Sequence, residues 1–202
     1  MTRRIKGTRL EQKAQDAPCL ICDTCGAQVP LSAPAPVCPA CATPVPLTED
    51  GTLDLRQDVS FDTLLDIASY DDAHGVRSQN RRLAQFYEGL LRAAGLGHAR
   101  HILEIGAGSG NLTSGLVELD FFGQVYASEL SPGFMRLLKQ RLGEQREEQL
   151  RCVLLDANAL PFADCGFDCV LGHSVLHHLA RFEQTLRESY RVTRPGGICA
   201  FG

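Results

Sequence analysis

The chain has 202 residues, enough for one ordinary domain and a small additional unit. Its hydrophobic fraction of 44% and charged fraction of 22% predict a soluble globular protein, and no stretch is long and apolar enough to span a membrane. The net charge of −4 excludes a whole-protein electrostatic field that would attract nucleic acid or a membrane surface.

Residues 1–17 contain five basic and two acidic side chains and are interpreted as a flexible basic tail. An arm that binds RNA phosphates is the alternative. No apolar run follows this basic start, so it is not a secretory signal. Nine cysteines in such a chain predict a reducing, cytoplasmic location, where clustered thiols indicate metal binding more often than disulfides.

Two Cys-x-x-Cys pairs follow, Cys22 with Cys25 and Cys38 with Cys41, with twelve residues between the pairs. Tetrahedral Zn²⁺ needs four ligands, and each pair supplies two thiolates from one tight turn. The spacing therefore predicts a zinc ribbon with four cysteine ligands, with a redox thiol pair as the alternative. Cys19 is a fifth thiol, and whether it replaces Cys22 as a ligand is open.

The ribbon is predicted to occupy residues 18–55. Six of the ten prolines fall between Pro30 and Pro46, which prevents a helix there. Asp50-Gly51 lies between two leucines and predicts a hairpin turn that closes the ribbon. Because the ribbon has few apolar residues, we expect it to depend on the metal to fold.

Residues 56–100 are predicted to form a helical linker or cap. A first helical pattern lies around residues 62–67. The second has an apolar stripe at Leu83, Phe86, Tyr87, Leu90, Leu91 and Ala94. Between the two patterns, Tyr70 and His74 belong either to a surface loop or to a site covered by these helices.

A glycine-rich turn follows a predicted strand at 101–105. Gly106, Gly108 and Gly110 let the backbone turn sharply into a helix and present bare N–H groups to a ligand. A dinucleotide-binding fingerprint would read G-x-G-x-x-G, but here the third glycine comes one residue early and Asn111 takes its place.

Strands and helices alternate through the rest of the chain. Strands are predicted at 124–129, 150–156, 167–172 and from Ile198 onwards. The helix over 181–193 shows Phe182, Leu186 and Tyr190 at helical spacing, and residues 194–197 are predicted to form a turn. This alternation predicts an α/β fold with a parallel sheet.

Three acidic side chains lie at the ends of successive predicted strands: Glu104, Glu129 and Asp156. Ligands of open α/β sheets bind beyond the carboxyl ends of the strands. A carboxylate accepts two hydrogen bonds, which matches the diol of a ribose. Together with the glycine turn, the acids predict a nucleoside site.

The spacing E-x-G-x-G-x-G, followed by VYASELSP, LLDANALPF, SVLHHL and RVTRPGG, resembles the class I S-adenosylmethionine-dependent methyltransferases over about residues 70–202. The resemblance implies a Rossmann-like doubly wound parallel sheet, with a cofactor-binding domain at 101–202 behind the ribbon and helical cap. Family sheets usually have seven strands, so the resemblance also implies a domain that is truncated at its C-terminus.

The resemblance also implies a role for individual residues. Gly106, Gly108 and Gly110 would contact the methionine part of S-adenosylmethionine, and Glu104 would hold its ammonium group. Glu129 would hold the ribose hydroxyls. The adenine would meet Asp156 and the Ala157 backbone, and His173 would border the methionine and the substrate.

Three histidines follow the fourth predicted strand: His173, His177 and His178. A hydroxyl acceptor needs a base with a pKa near neutral, so one of them is a candidate catalytic base or substrate contact. Alternatively, His177 and His178 only pack the turn into the next helix. The family's amino-methylating signature is absent from Gly172 to Val175, which disfavours transfer to an adenine or amide nitrogen.

The sequence therefore predicts methyl transfer from S-adenosylmethionine to a small-molecule acceptor. Two alternatives stay open. The first is an rRNA or tRNA methyltransferase whose ribbon binds RNA, and the second is a non-catalytic S-adenosylmethionine-binding module. We expect no membrane partner, and the sequence leaves the oligomeric state open.

Overall fold

The structure is a computed structural model that describes residues 17–56, 77–143 and 149–202. Most of the predicted tail, the first helical pattern, Tyr70 and His74 lie outside these described residues. None of the described helices is long and apolar enough to cross a membrane.

Eight strands and four α-helices make up the described fold. The strands are β1 (Cys19–Ile21), β2 (Gln28–Pro30), β3 (Leu53–Asp54), β4 (Ala99–Ile105), β5 (Phe122–Glu129), β6 (Leu150–Leu154), β7 (Phe167–Gly172) and β8 (Thr193–Phe201). The helices are α1 (Arg77–Ala93), α2 (Asn111–Leu116), α3 (Pro132–Leu142) and α4 (Phe182–Val192), with a short 3₁₀ turn at Leu176–His178.

Six strands form one parallel sheet in the order β3-β6-β5-β4-β7-β8. From β4 the chain proceeds outwards through β5 to β6, and then returns to the other side of β4 for β7 and β8. A crevice opens beyond the carboxyl ends of the strands where the order reverses. The predicted α/β class and the Rossmann-like doubly wound sheet are confirmed.

Helices α1, α2 and α3 cover one face of the sheet. Ile102 and Val125 point into a core shared with α1 and α2, whereas their neighbours Leu103 and Tyr126 point to the opposite face. Helix α1 packs closely on α2 at Gly115, where an added Cβ would lie 2.3 Å from the Asn80 carbonyl oxygen.

The predicted apolar stripe on α1 is only partly buried. Tyr87 and Leu91 are buried together with the small Ala84. Phe86 and Leu90 remain 58% and 45% exposed. Helix α1 packs mainly on the six-residue helix α2, so only part of the predicted stripe is covered.

The apolar stripe predicted on α4 is wrong in its orientation. Its residues Phe182, Leu186 and Tyr190 are exposed, and Tyr190 is 81% accessible. The face that packs inwards carries Thr185 and Ser189, both fully buried. The buried Thr185 hydroxyl lies 3.3 Å from the Asn158 side-chain oxygen, which satisfies it. The Ser189 hydroxyl has no hydrogen-bond partner among the described residues.

Two boundaries in the sheet also differ from prediction. Strand β6 ends at Leu154, so Asp156 lies in the loop that follows. Residues 194–197, predicted as a turn, lie within β8, where the pairing shifts register between Thr193 opposite Phe167 and Ile198 opposite Cys169. They therefore form a bulge in the strand.

The Cys-rich segment packs on the second face of the same sheet. Strands β1 and β2 form an antiparallel hairpin. Leu20, Val29 and Leu31 are buried in one core with Tyr126 and Phe162. The predicted Asp50-Gly51 turn is confirmed by a hydrogen bond from the Thr48 N–H to the Thr52 carbonyl. After this turn, β3 pairs with β6 at the edge of the sheet.

Candidate functional site

A cleft of about 1010 Å³ lies beyond the carboxyl ends of β4, β5, β6 and β7. The glycine-rich loop after β4 forms one wall, and the loop after β6 forms another. The N-terminal half of α1 and the turn after β7 complete the lining. The cleft is large enough for a nucleoside-sized ligand and a second small molecule.

The glycine loop exposes its backbone to the cleft. Gly106 and Gly108 line the cleft, and both have positive φ angles that glycine adopts without strain. At Gly108 no atom lies within 4 Å of the position that a Cβ would take, so a ligand can approach the backbone there. Gly110, at the start of α2, does not line the cleft. It packs instead against Leu138 of α3.

Glu104 is the buried acid at the end of β4, with only 2% of its surface exposed. Burial raises the pKa of its carboxyl to about 7, and the nearby charge of Glu129 adds to the rise. The Thr113 hydroxyl donates to Glu104 Oε2 at 2.7 Å and opposes that rise. Glu104 is therefore positioned to bind a cation, whose charge would favour the ionised form.

Glu129 joins the glycine loop to the start of α3. Its Oε2 accepts a hydrogen bond from the Gly108 N–H at 2.9 Å. Its Oε1 accepts from the N–H groups of Leu130 at 2.8 Å and Ser131 at 3.0 Å. Three backbone donors fix the carboxylate, and Oε2 keeps one lone pair for a further donor such as a ribose hydroxyl.

Asp156 and Ala157 line the cleft in the loop after β6. Asp156 Oδ1 accepts from the backbone N–H and the side-chain amide of Asn158, both at 2.8 Å. The Thr185 hydroxyl of α4 lies 3.3 Å from Asn158 Oδ1. This chain of contacts fixes the loop that carries two of the predicted adenine contacts.

His173 lies at the end of β7 and lines the cleft. Its Nδ1 lies 3.3 Å from the hydroxyl of Tyr87, which donates to the Gly172 carbonyl at 3.0 Å. Because the phenol has one proton, His173 Nδ1–H is the donor to the Tyr87 oxygen, and Nε2 is left as an acceptor. Burial lowers the pKa of His173, so the neutral ring is favoured.

The other two histidines lie in the 3₁₀ turn after β7. Their rings are 3.9 Å apart, and both side chains are exposed. His178 lines the cleft, whereas His177 does not. His173 and His178 are thus brought to one site, and His177 lies beside it.

The four predicted metal-ligating cysteines come together. The sulfur atoms of Cys22, Cys25, Cys38 and Cys41 all lie within 4.8 Å of one another, with Cys22–Cys41 at 3.7 Å and Cys25–Cys38 at 3.6 Å. A tetrahedral zinc site with Zn–S bonds of about 2.3 Å separates its thiolates by about 3.8 Å, so this four-cysteine cluster fits Zn²⁺. Cys19 lies outside the cluster.

The backbone of the cluster has two matching turns. The Gly26 N–H donates to the Cys22 carbonyl, and the Ala42 N–H donates to the Cys38 carbonyl. Both Gly26 and Ala42 have positive φ angles, although Ala42 is not glycine. Each turn aims two thiols at one point.

Two residues that support the site, Tyr87 and Arg141, are not predicted as such by the sequence. Tyr87 was predicted only as part of an apolar stripe, although a buried tyrosine usually needs a hydroxyl partner. Arg141 of α3 donates to the Ser109 carbonyl at 2.9 Å and to Asn111 Oδ1 at 2.8 Å, and so supports the glycine loop. Nothing in the sequence around Arg141 indicates this long-range contact.

Comparison with known proteins agrees with this geometry. Residues 103–201 match the family model described as a methyltransferase domain. A malonyl-[acyl-carrier protein] O-methyltransferase from Halorhodospira halophila is 35% identical over 104 residues, covering 52% of this chain and 35% of that protein. A demethylmenaquinone methyltransferase from Renibacterium salmoninarum is 32% identical over 149 residues, covering 72% of this chain and 59% of that protein.

Among solved structures, an S-adenosyl-L-methionine-dependent methyltransferase from Methanococcus maripaludis matches with a TM-score of 0.59 at 17% identity, covering 71% of this chain and 68% of that one. That match shows the fold alone. The family match supports the resemblance to class I S-adenosylmethionine-dependent methyltransferases for residues 103–201, as the motifs predicted. It spans 35% and 59% of the lengths of the two relatives named above.

Proposed function

We propose that the cleft binds S-adenosylmethionine and transfers its methyl group to a small-molecule acceptor. The observation that carries the proposal is the arrangement of Glu104, Glu129 and Asp156 around an open glycine loop. Glu104 would bind the ammonium group and Glu129 the ribose hydroxyls. Asp156, with the Ala157 backbone, would contact the adenine. The three acids would thus follow the cofactor from its methionine part to its adenine in the order of the neighbouring strands β4, β5 and β6.

The bound cofactor would supply an activated methyl group on a sulfonium centre. The chain's own contribution is alignment and exclusion of water, because an in-line displacement needs little covalent help. His173 would accept a proton at Nε2 from an acceptor hydroxyl or acidic carbon. Tyr87 is a positioning residue, since it holds the ring in the tautomer that leaves Nε2 free to accept.

A small-molecule acceptor is favoured over RNA by the charge of the ribbon. Residues 18–55 contain no Lys or Arg and carry four acidic side chains. Binding to RNA phosphates depends on basic side chains, so this surface would repel RNA. The name of the demethylmenaquinone methyltransferase refers to a quinone, which also supports a small acceptor. The name of the other relative refers to a malonyl group that is carried on a protein.

The four-cysteine cluster would bind one Zn²⁺ as a structural ion. Its four thiols fill every position of a tetrahedral site and leave none for water or substrate, which is the arrangement of structural zinc. It also packs against the sheet face opposite α1 and α2. The metal would therefore stabilise the fold rather than take part in methyl transfer.

The proposal predicts that the protein binds S-adenosylhomocysteine, the demethylated product, more tightly than NAD. Glu129→Gln should weaken the binding of S-adenosylhomocysteine by about 1–3 kcal/mol, because the new NH2 group would face at least one backbone N–H donor instead of accepting from it. Isothermal titration calorimetry of both ligands measures the difference. Glu183→Gln, an exposed change on α4, is the matched control and should leave the affinity unchanged. Tighter binding of NAD would reject the proposal.

Binding of S-adenosylhomocysteine should strengthen as the pH rises. With the pKa of Glu104 at about 7, the carboxyl is neutral below that pH and cannot pair with an ammonium group. Between pH 6 and pH 8 the affinity should rise about tenfold, the expected linkage for one proton with that pKa. Calorimetric titrations across this range test the rise, and Glu104→Gln should abolish it.

The same carboxyl has the opposite effect on the stability of the unliganded protein. The pKa of Glu104 is raised above its ordinary value, so the folded state holds this proton more tightly than the unfolded chain. The resulting stabilisation is present at low pH and is lost as the pH rises through about 7. Opposite pH trends of ligand affinity and unliganded melting temperature, both absent in Glu104→Gln, would identify Glu104 as their source.

A further inference from the structure

The loop between β6 and β7 pairs with β1 of the ribbon hairpin through one antiparallel bridge. The Ile21 N–H of β1 donates to the Pro161 carbonyl at 2.9 Å, and the Ala163 N–H donates to the Cys19 carbonyl at 2.8 Å. Leu20 and Phe162 lie opposite each other in an antiparallel bridge between these bonds. The hairpin and this loop are therefore one hydrogen-bonded unit.

The two ends of this unit lie at the two candidate sites. Ile21 directly precedes Cys22, the first thiol of the four-cysteine cluster. At the other end, the first residues of the same loop, which include Asp156 and Ala157, line the cleft. A displacement of β1 would thus be transmitted to the cleft through a short, continuous stretch of backbone.

The far side of the loop is anchored as well. Arg191 of α4 donates to the carbonyls of Leu160 at 2.8 Å and Phe162 at 2.7 Å. The ribbon itself is joined to the sheet, because Arg151 of β6 donates to the Leu31 carbonyl at 2.8 Å. The loop is held between α4 and the ribbon, so its position depends on whether the ribbon is folded.

We propose that the four-cysteine cluster and the cleft are energetically coupled, so that Zn²⁺ on the four thiols strengthens cofactor binding and the cofactor strengthens metal binding. The proposal rests on the proposed function for the identity of the cleft ligand. Zn²⁺ orders the hairpin, the hairpin orders residues 156–163, and the cofactor needs these residues in the same position. A ligand that binds an already ordered loop loses less conformational entropy, which makes the coupling positive.

Coupling between two sites is reciprocal, and this gives the experiment two independent readouts. The first is the affinity for Zn²⁺, measured at equilibrium by competition with a chromophoric chelator, with and without saturating S-adenosylhomocysteine. The second is the affinity for S-adenosylhomocysteine, measured by calorimetry on zinc-loaded and metal-free protein. Both affinities should change by the same factor, between about 5-fold and 150-fold.

A pair of variants at one position isolates the connection. Ala163→Pro removes the N–H that donates to Cys19, whereas Ala163→Gly keeps it. Both variants retain all four cluster thiols and all predicted cofactor contacts. We expect Ala163→Gly to keep the coupling and Ala163→Pro to reduce it to less than about twofold, while each ligand still binds alone.

The outcomes separate the coupling from the proposed function. If S-adenosylhomocysteine binds and Zn²⁺ affinity does not change, the coupling is wrong and the proposed function stands. If S-adenosylhomocysteine does not bind to the zinc-loaded protein, the proposed function fails and the coupling fails with it. A protein that holds no Zn²⁺ at the four thiols would also overturn the coupling.

Discussion

Replacing Cys22 and Cys38 together by serine is expected to abolish zinc binding and to lower the free energy of unfolding of the whole described sheet by several kcal/mol. Structural zinc contributes directly to folding free energy. Cys38 and its neighbours Val29 and Leu31 are buried in the same core as Tyr126 of the central sheet. Loss of the metal should therefore destabilise the sheet and not only the ribbon.

The measurement combines metal analysis with thermal and denaturant unfolding. The wild-type protein should contain one zinc per chain and unfold in one cooperative transition, since ribbon and sheet share a core. Cys19→Ser is the matched control, because this thiol lies outside the cluster, and it should retain both zinc and stability. Stoichiometric zinc in the double variant would refute the ligand assignment, and an unchanged unfolding midpoint would refute the contribution of the metal to the stability of the sheet.

The parts of the fold that local sequence patterns encode were predictable. The glycine spacing after β4, the acids at the strand ends and the alternation of strands and helices depend on neighbours within a few residues. The Ser131 cap with Pro132 at the first position of α3 belongs to the same class. The pairing of cysteines within each Cys-x-x-Cys turn is local too, which explains why the cluster forms as predicted.

The position of the ribbon could not be predicted, because it depends on contacts between distant parts of the chain. Leu20 pairs with Phe162, and β3 is a two-residue strand whose partner lies in β6. Neither contact leaves a periodic pattern in the sequence. The orientation of α4 was predicted wrongly for a related reason. Burial of Thr185 depends on Asn158, so the most apolar stripe is not the one that faces the sheet.

The sequence predicted which acidic side chains lie at the cleft, but not the groups that hold them in place. Glu104 and Glu129 follow from their places at strand ends, whereas the Thr113 hydroxyl and the Gly108 N–H that bind them follow only from the folded loop. Tyr87 lies 86 residues from His173 in sequence, and its role depends on the packing of α1. Hydrogen bonds of this kind depend on tertiary packing, and the periodicity of a sequence does not reveal them.

Gly115→Ala is expected to destabilise the protein, although the same change usually stabilises a helix. Replacing glycine by alanine in a helix interior normally gains about 0.5–1 kcal/mol. At Gly115 the new Cβ would lie 2.3 Å from the Asn80 carbonyl oxygen and 2.7 Å from the Ala84 Cβ, so α1 must move away from α2. Overpacking of this kind costs about 1–3 kcal/mol, which outweighs the gain in helix propensity.

Gly89→Ala on α1 is the matched control, because no atom lies within 4 Å of its added Cβ and the position is exposed. It should raise the free energy of unfolding by the usual helix gain, so the two variants should differ in sign in the same denaturation experiment. Helix α1 also carries Asn80 into the cleft lining and Tyr87 to His173, so Gly115→Ala should shift the pKa of His173, measured by NMR titration. Equal stabilisation by both substitutions would mean that α1 does not pack closely on α2. An unchanged pKa of His173 in Gly115→Ala would mean that the position of Tyr87 against His173 does not depend on that contact.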